Sequence, residues 1–235
     1  MQAALSFLSP LTTCEYLADR QWQLRYDVFA RLRPHEYLAL MEQGWRRFGY
    51  AVFRPECPAC RCCRSLRVPV DRFRPDESQR RAWKQNHGQV TLHVGRPSVT
   101  EAKLDLYRRY HRFQHHAKGW PAPDDAGDNL DPFVENPFVT EEWSYAVNGR
   151  LVAVGYVDAL PGALSAIYFY YDPDERRRSL GTFNVLSVLA AAAARGVPYV
   201  YLGYYVPGCR SLEYKARFRP YELLEGGTWR PVGRP

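Results

Sequence analysis

Four cysteines lie within seven residues of this 235-residue chain, and their spacing limits how residues 57–63 can fold. The run reads C-P-A-C-R-C-C, and a C-x-x-C turn places two thiolates on one side of a knuckle, within reach of one tetrahedral metal ion. Cys14 can return from elsewhere in the chain as a further ligand. The sequence therefore predicts a zinc ion or an iron–sulfur cluster on Cys14, Cys57, Cys60 and Cys63. The alternative is a set of reduced structural thiols.

Arginine dominates the basic residues of the chain. There are 28 arginines and four lysines against 25 acidic residues, which leaves a net charge of +7. The planar guanidinium suits phosphates and carboxylates, so this bias favours an anionic partner such as nucleic acid. No apolar run approaches the roughly 20 residues that cross a bilayer, and the N-terminus has no basic leader. Because cysteines clustered in this way indicate metal or thiol chemistry in the cytosol, we expect a cytoplasmic protein without a secretion signal.

We expect residues 1–95 to form an irregular, Cys-rich N-terminal region. Pro34 suits the first turn of a helix, and apolar residues at three-to-four spacing extend that helix through Phe48. Pro69 cannot donate a backbone hydrogen bond, so the apolar alternation around it predicts an edge strand at best. A helix over 78–86 and a strand over 89–94 complete the region.

Residues 96–235 are more regular and predict a second region. Ser98 and Glu101 form a capping-box pattern ahead of a helix that ends near His116. The stretch 119–136 is rich in Pro, Asp and Gly and predicts a long loop. Turn signals and apolar periodicity then predict strands 143–147 and 150–158 joined at Asn148-Gly149, a strand over 164–171, a helix ended by Gly196, and a strand over 199–206. This order indicates an α+β sandwich.

Two basic motifs are candidates for binding an anion. Arg80, Arg81 and Lys84 adjoin on the helix predicted over 78–86, where such a cluster can hold a carboxylate or phosphate. The alternative is a solvated helix face. Residues 178–182 (R-S-L-G-T) resemble half of the acyl-CoA phosphate loop, in which backbone N–H groups at a helix start bind phosphates. The bulk of Phe183 counts against coenzyme A and leaves the helix start free for another anionic group.

Six motifs occur in one order along the chain. They are C-E-Y-L from Cys14, C-P-x-C-x-x-C from Cys57, S-Q-R-R-x-x-K-x-N from Ser78, Y-Y-D-P from Tyr170, S-L-G-x-F from Ser179, and Y-L-G-Y-Y-x-x-x-C-x-x-x-x-Y-K-x-x-F-x-P-x-E-L-L from Tyr201. In this order they resemble the arginyl-tRNA–protein transferases, and the short chain is similar to the bacterial branch of that family, the aspartate/glutamate leucyltransferases. The resemblance runs from about residue 12 to 231. The extra Cys62 departs from the pattern and makes the third knuckle ligand ambiguous between Cys62 and Cys63.

The resemblance implies an acetyltransferase-like mixed-sheet sandwich and a cytoplasmic aminoacyltransferase of the N-degron pathway. Such an enzyme takes an amino acid from aminoacyl-tRNA and joins it to the α-amine of proteins that begin with Asp or Glu, which marks them for degradation. The bacterial form implies leucine as the donor, with arginyl transfer from Arg-tRNA as the alternative. An aminoacyl ester is already activated, so the chemistry requires positioning and charge stabilisation but no cofactor. Neither DNA nor a membrane is expected as a partner.

Site residues are predicted in three groups. The reaction centre is expected among the polar residues Asp172, Tyr204, Tyr214 and Lys215. The acidic N-terminus of the protein substrate is expected at Arg80, Arg81 and Lys84. The tRNA phosphates are expected at Arg178, Arg210, Lys215 and Arg217, with the free N–H groups of the helix start at Gly181.

Two other function classes stay open at this point. One is a coenzyme A-dependent acetyltransferase, which Phe183 in the phosphate loop disfavours. The other is a zinc-knuckle RNA-binding protein without activity, in which the sandwich is only a scaffold. An assay with aminoacyl-tRNA and a peptide that begins with Asp separates the aminoacyltransferase from both.

Overall fold

The computed structural model describes residues 2–119, 127–136 and 138–233 of the chain. The strands are β1 (Leu5–Leu8), β2 (Thr12–Thr13), β3 (Gln21–Trp22), β4 (Leu24–Val28), β5 (Arg46–Phe48), β6 (Ala51–Pro55), β7 (Arg64–Pro69), β8 (Val90–Gly95), β9 (Thr140–Val147), β10 (Arg150–Leu160), β11 (Ala163–Tyr171), β12 (Tyr199–Tyr205), β13 (Tyr221–Glu225) and β14 (Thr228–Val232). The α-helices are α1 (Pro34–Glu42), α2 (Glu77–Asn86), α3 (Glu101–Lys118), α4 (Gly127–Val134), α5 (Leu180–Ala194) and α6 (Arg210–Glu213). Two 3₁₀ turns span Pro173–Arg178 and Tyr214–Arg217.

An eight-stranded mixed sheet forms the centre of the described molecule. Its strand order is β14-β13-β7-β12-β11-β10-β9-β8, and β11 and β12 pair in parallel whereas the other neighbours are antiparallel. β7 and β8 come from before residue 96, so the sheet includes strands from both predicted regions. The boundary at 95/96 stays a prediction. The α+β class with a mixed sheet is confirmed.

Helices cover both faces of this sheet. Tyr156 packs in a core with α3 and α4, whereas the next residue, Val157, packs in a core with α5. Neighbouring residues of a strand point to opposite faces, so these two cores lie on opposite sides of the sheet. Leu160 has the same parity as Tyr156 and packs against α1. We call the side of α1, α3 and α4 the front face and the side of α2 and α5 the back face.

The parallel pair separates towards its carboxyl end. β11 and β12 are paired only from Ala163 and Tyr199 to Ser165 and Tyr201. Beyond Ser165, β11 continues beside β10, and beyond Tyr201, β12 continues beside β7. The sheet therefore has a gap between the carboxyl ends of these two strands, and in open α/β sheets ligands bind outside the carboxyl ends of strands.

The hairpin signal was correct to the residue. Asn148 and Gly149 both have positive φ angles, 49° and 79°, between β9 and β10. These are the angles of the turn that matches the twist of two antiparallel strands, and Asn-Gly adopts it with little strain. The helix predicted over 78–86 is α2, which Asp76 caps by accepting a hydrogen bond from the Gln79 backbone N–H.

The helix predicted through Phe48 is wrong beyond Glu42. Gly44 has a φ of 90°, a left-handed conformation that ends the helical path, and Arg46 to Phe48 then pair with β6 as β5. Trp45 therefore lies in a connection rather than on the helix.

The prediction of an edge strand around Pro69 is also wrong, because β7 lies between β12 and β13. Pro69 is its last residue, opposite Tyr199, and the pairing with β13 stops at Arg67. The missing N–H of Pro69 therefore costs no hydrogen bond on the β13 side.

The region around residues 98–136 differs from its prediction in two ways. Thr100 is the N-terminal cap residue of α3, and the Ser98 hydroxyl instead accepts a hydrogen bond from Lys103 Nζ. Part of the predicted loop is helical, since α4 occupies Gly127–Val134, and residues 120–126 lie outside the described residues. In the part of the chain that is described, no helix is both long and apolar enough to cross a bilayer.

Candidate active site

Lys215 lies at the point where β12 has left β11. Its Nζ donates a hydrogen bond to the backbone carbonyl oxygen of Tyr204 over 2.8 Å, and the side chain is buried. A Cβ on Gly203 would stand 3.4 Å from this Nζ, and Gly203 has a φ of 83°. Glycine at 203 thus permits both the backbone conformation and the close approach of the lysine.

The surroundings of Lys215 disfavour its charged form. Burial and the nearby Arg46 guanidinium lower the pKa of Lys215 to about 7, although the Cys209 thiol acts in the opposite direction. A lysine with this pKa is partly neutral at physiological pH and can accept a proton. The Y-L-G-Y-Y motif and the Y-K motif of the sequence therefore meet at one potential proton acceptor.

Tyr204 connects this lysine to the N-terminal strands. Its hydroxyl donates a hydrogen bond to the carbonyl oxygen of Gly44 over 2.8 Å. The Arg46 guanidinium lies 5.5 Å from the centre of the Tyr204 ring. Burial is the largest cause that raises the pKa of Tyr204, so its hydroxyl stays protonated.

A cavity of about 370 Å³ lies between the cysteine run and the sheet. Gly44, Ser65 and Tyr204 line it on the sheet side, and the side chains from the cysteine run that line it are Cys57, Cys60, Arg61, Cys62 and Cys63. The volume is that of a small-ligand site. This cavity adjoins Tyr204.

The cysteines approach one another without forming a ligand set. Burial is the main cause that raises the pKa of Cys63 to about 12, and the nearby thiols of Cys57, Cys14, Cys60 and Cys62 raise it further. An all-sulfur donor set suits zinc or an iron–sulfur cluster. Within the described residues, however, no group of three or more His, Cys, Asp or Glu side chains stands close enough to hold a metal ion. The thiols as placed here do not fit a bound metal, and the metal stays a prediction.

The other two reaction-centre candidates, Asp172 and Tyr214, have environments unlike those of Lys215 and Tyr204. Asp172 is buried and accepts hydrogen bonds from Arg109 (2.7 Å) and Arg150. Burial alone would raise the pKa of Asp172, but the hydrogen bonds from Arg109, from the Asp174 N–H and from Arg150 outweigh it and lower the pKa. Asp172 is therefore a fixed anion that joins α3, β10 and the following turn. Tyr214 is 45% exposed where α6 meets the 3₁₀ turn.

The basic cluster of α2 lies on the back face of the sheet. Arg80, Arg81 and Lys84 are exposed, and Arg81 forms an ion pair with Glu77 on the same helix. α2 packs against α5, and Trp83 contacts Phe183 in that core. Tyr201, whose ring lies near Arg46, packs instead with α1 on the front face. In the described part of the chain, no hydrogen bond, ion pair or ring contact joins these three cations to Tyr204, although the start of α2 contacts the turn that carries Lys215, where the Gln79 side chain donates to the Arg217 carbonyl oxygen.

Some of the residues that were predicted to contact tRNA phosphates are exposed, whereas others are buried or bonded to an acid of the same chain. Arg210 and Arg217 are exposed, and Arg217 Nη2 donates to the Ser78 hydroxyl over 2.7 Å. Arg178 instead donates to Glu175 over 2.7 Å, and Lys215 is buried. Gly181 is the second residue of α5, whose N-terminal cap, Ser179, makes no side-chain capping bond.

Arg46 is the residue that the sequence predictions missed. Its side chain is buried on the front face, and two of its N–H-bearing nitrogens have no hydrogen-bond partner. The sequence analysis placed Arg46 in a helix that was predicted to run through Phe48. Neither composition nor periodicity indicates a strand with two adjacent buried arginines. The pattern W-R-R just after Gly44 was the available sign.

Known proteins are similar to this chain over most of its length. Family models described as arginine-tRNA–protein transferase match with their N-terminal part at residues 12–81 and their C-terminal part at residues 102–225. A protein from Halorhodospira halophila named aspartate/glutamate leucyltransferase is 40% identical over 92% of this chain and 92% of its own length. One of the same name from Pseudomonas fluorescens strain Pf-5 is 38% identical, with the same shares covered.

Among solved structures, the chain resembles the C-terminal domain of a protein from Agrobacterium fabrum assigned as a lysylphosphatidylglycerol synthetase. The TM-score is 0.50 at 13% identity, and the match covers 86% of this chain and 65% of that one. At this identity the likeness concerns the fold alone. It agrees with the acetyltransferase-like mixed sheet that the sequence predicted.

Proposed function

Because the chain belongs to the arginine-tRNA–protein transferase family, we propose that it transfers leucine from Leu-tRNA to the N-terminal Asp or Glu of proteins. The observation that carries this proposal is the similarity, over 92% of the chain, to proteins named aspartate/glutamate leucyltransferase. In this function it is an aminoacyltransferase of the N-degron pathway that acts in the cytoplasm. Its partners are aminoacyl-tRNA and acidic protein N-termini.

The reaction makes modest chemical demands. The α-amine of the acceptor attacks the ester carbonyl carbon of the aminoacyl-tRNA, and a tetrahedral oxyanion forms. The bond from that carbon to the ribose oxygen then breaks, so a peptide bond replaces the ester and the free tRNA leaves with a hydroxyl. The acceptor ammonium must first lose a proton. Positioning and proton removal are therefore what the protein has to supply.

Lys215 suits the role of proton acceptor. Its pKa of about 7 leaves a large neutral fraction at physiological pH, and its hydrogen bond to the Tyr204 carbonyl oxygen fixes its position. Lys215 also lies beside the part of β12 that no longer pairs with β11, which is where we propose that the acceptor amine approaches. A residue buried to this degree does not contact tRNA phosphates, so Lys215 belongs in this proposal to the chemistry and not to the phosphate contacts.

The tRNA is expected at the exposed cations of the C-terminal segment. Arg210 and Arg217 are exposed beside the turn that carries Lys215. Arg210 lies near Lys118 at the end of α3, and burial and this arginine lower the pKa of Lys118. In this proposal the aminoacyl end lies near Tyr204, because Arg217 lies in the same turn as Lys215, whose Nζ is bonded to the Tyr204 carbonyl oxygen.

Leucine fits the available side chains better than arginine does. An arginyl donor would need a buried acid, for which Asp172 and Glu213 are the candidates. Asp172 is already paired with Arg109 and Arg150, and Glu213 accepts a hydrogen bond from the Gly208 N–H over 2.8 Å. Asp172 is therefore occupied within the chain and Glu213 is partly so, whereas the partly buried Ile167 on β11 offers apolar contact.

Transfer of labelled leucine tests the proposal against the acetyltransferase alternative. Purified protein is incubated with [¹⁴C]Leu-tRNA or with labelled acetyl-CoA, each with a peptide that begins with Asp and a matched peptide that begins with Ala. We expect label on the Asp peptide from Leu-tRNA alone. Acetylation without leucyl transfer would overturn the proposed function.

A further inference from the structure

Arg46 has the most unusual environment of any arginine in the described part of the chain. Its side chain is buried, and Nη1 donates to the Trp45 carbonyl oxygen over 2.7 Å. Nε and Nη2 are both inaccessible to solvent and have no partner. The other buried arginines are satisfied, since Arg47 pairs with Asp158 and Arg67 with Glu222.

Further unsatisfied polar groups face the same side of the sheet as Arg46. The hydroxyls of Ser65 and Ser165 are buried without a partner. Ser65 stands opposite Tyr204 in the β7–β12 pair, and Ser165 stands opposite Tyr201 in the β11–β12 pair. Residues directly opposite in a sheet project to the same face, and the guanidinium of Arg46 lies 5.4 and 5.5 Å from the rings of Tyr201 and Tyr204.

Tyr37 adds one more unsatisfied hydroxyl to this front-face group. It is fully buried on α1, its hydroxyl has no partner, and it is close enough to Arg46 for the guanidinium to act on the pKa of Tyr37. A buried cation among hydroxyls with no acid bonded to it is costly unless an anion completes the site. No carboxylate within the described residues is bonded to Arg46.

The cavity beside the cysteine run gives an approach to this group. Gly44, Ser65 and Tyr204 line the cavity, the Tyr204 ring lies 5.5 Å from the Arg46 guanidinium, and Ser65 stands opposite Tyr204 in the sheet. The guanidinium is therefore close to Tyr204, a residue of the cavity wall. Rotation of the Ser65 and Tyr204 side chains would open Nε and Nη2 to a ligand that enters from the cavity.

We propose that Arg46, assisted by Ser65, binds the side-chain carboxylate of the acceptor's N-terminal Asp or Glu. The proposal rests on the function proposed above and names the residue that selects acidic acceptors. A guanidinium with two free N–H groups presents the fork that a carboxylate fits. Tyr204 joins the two halves of the site, because Lys215 is bonded to its backbone and Arg46 lies on its ring. In this proposal one acceptor residue directs its amine towards Lys215 and its carboxylate towards Arg46. In this proposal Arg46 takes the role that the sequence analysis gave to the exposed Arg80, Arg81 and Lys84 of α2.

Acceptor selectivity of two variants tests the proposal. Arg46→Gln removes the charge, and Arg67→Gln is the matched control, since Arg67 is also a buried arginine on a strand and Glu222 keeps its second partner, Arg72. The measured quantity is kcat/KM for a peptide that begins with Asp, divided by that for the same peptide beginning with Asn. We expect Arg46→Gln to lower kcat/KM for the Asp peptide by about 100-fold, the scale for removing one partner of a buried charge pair, and to bring the ratio close to one. Arg67→Gln should keep the wild-type ratio.

An Arg46→Gln enzyme that keeps the wild-type preference for Asp over Asn overturns the proposal. If that variant does not fold, Ser65→Ala decides, because it removes one donor and little volume. We expect it to lower kcat/KM for the Asp peptide about tenfold without changing the affinity for Leu-tRNA, and an unchanged Asp/Asn ratio would contradict the proposal. If the wild-type enzyme transfers no leucine to any peptide, the proposed function fails. Calorimetric binding of the Asp and Asn peptides without tRNA then still tests the carboxylate site.

Discussion

Lys215 and Tyr204 are joined by a 2.8 Å hydrogen bond from the lysine Nζ to the tyrosine backbone carbonyl oxygen, in the part of β12 that no longer pairs with β11. A buried ammonium held by a single carbonyl oxygen is poorly stabilised, which is why the pKa of Lys215 falls to about 7. The gap in the sheet and the proton acceptor therefore occur at one place, and the proposed chemistry depends on this relationship.

The activity should depend on pH through Lys215. Below a pH of about 7 the lysine is an ammonium and cannot accept a proton, so kcat/KM should fall as the pH decreases through that value. Lys215→Arg holds a cation at every accessible pH and should be nearly inactive throughout. Initial rates with Leu-tRNA and an Asp peptide, measured from about pH 5.5 to about pH 9, give the pH dependence of kcat/KM on both sides of the lysine pKa. If Lys215→Met kept both the activity and the ionisation near pH 7, another group would be the base.

The ion pair of Arg47 and Asp158 should be a large contributor to stability. Both side chains are fully buried, with Nη2 2.5 Å from Oδ1, and the pair joins β5 to β10. Asp158→Ala leaves the guanidinium without an acid and should lower the free energy of unfolding by about 3–5 kcal/mol. Glu77→Ala breaks the exposed pair with Arg81 and should cost at most about 0.5 kcal/mol. Urea unfolding of both variants measures the difference, and equal losses would show that Arg47 finds another partner.

Binding of tRNA should weaken steeply with salt through the exposed arginines. Each phosphate contact releases counterions, so Arg210→Ala and Arg217→Ala should each flatten the plot of log affinity against log salt by about one unit. Lys215→Met should leave that slope unchanged because Lys215 is buried. Filter binding with Leu-tRNA at several salt concentrations measures the slopes. If the plot of log affinity against log salt were flatter for Lys215→Met than for the two arginine variants, Lys215 would be a phosphate contact.

Metal analysis of protein purified without oxygen tests the cysteine prediction. The C-x-x-C spacing predicts about one zinc ion or one iron–sulfur cluster per chain and its loss in Cys57→Ser, whereas the positions of the thiols in the described part of the chain predict no bound metal. Cys209→Ser serves as the control, since Cys209 lies outside the run and packs with Tyr204 and Val206. Fully active protein that contains neither metal nor sulfide would show that the run consists of structural thiols.

Local sequence signals predicted the elements whose conformation is set by neighbouring residues. The Asn148-Gly149 hairpin depends on positive φ angles that those two residues adopt easily, and α2 depends on the cap at Asp76. The sequence did not predict the end of α1, because Trp45 and Phe48 continue the helical spacing of apolar residues past Gly44. Gly44 ends the helix because it adopts a left-handed conformation, with a φ of 90°, which the sequence alone does not reveal.

Features that depend on strand order were not accessible from the sequence. Pro69 indicated an edge strand, yet β7 is central because the pairing with β13 ends before that residue. The burial of Arg46 arises from β5 lying against the front face below α1, which no local pattern encodes. Lys215 was identified from the family resemblance, whereas its lowered pKa follows from tertiary burial.

Direct competition between two donors tests the central claim most sharply. Wild-type protein receives Leu-tRNA and Arg-tRNA at equal concentration together with a peptide that begins with Asp, and mass spectrometry identifies the residue added to the peptide. We expect leucine at the N-terminus of the Asp peptide as the main product, and no addition to a matched peptide that begins with Ala. Faster addition of arginine would contradict the leucyl assignment, and addition of neither residue would contradict the proposed reaction.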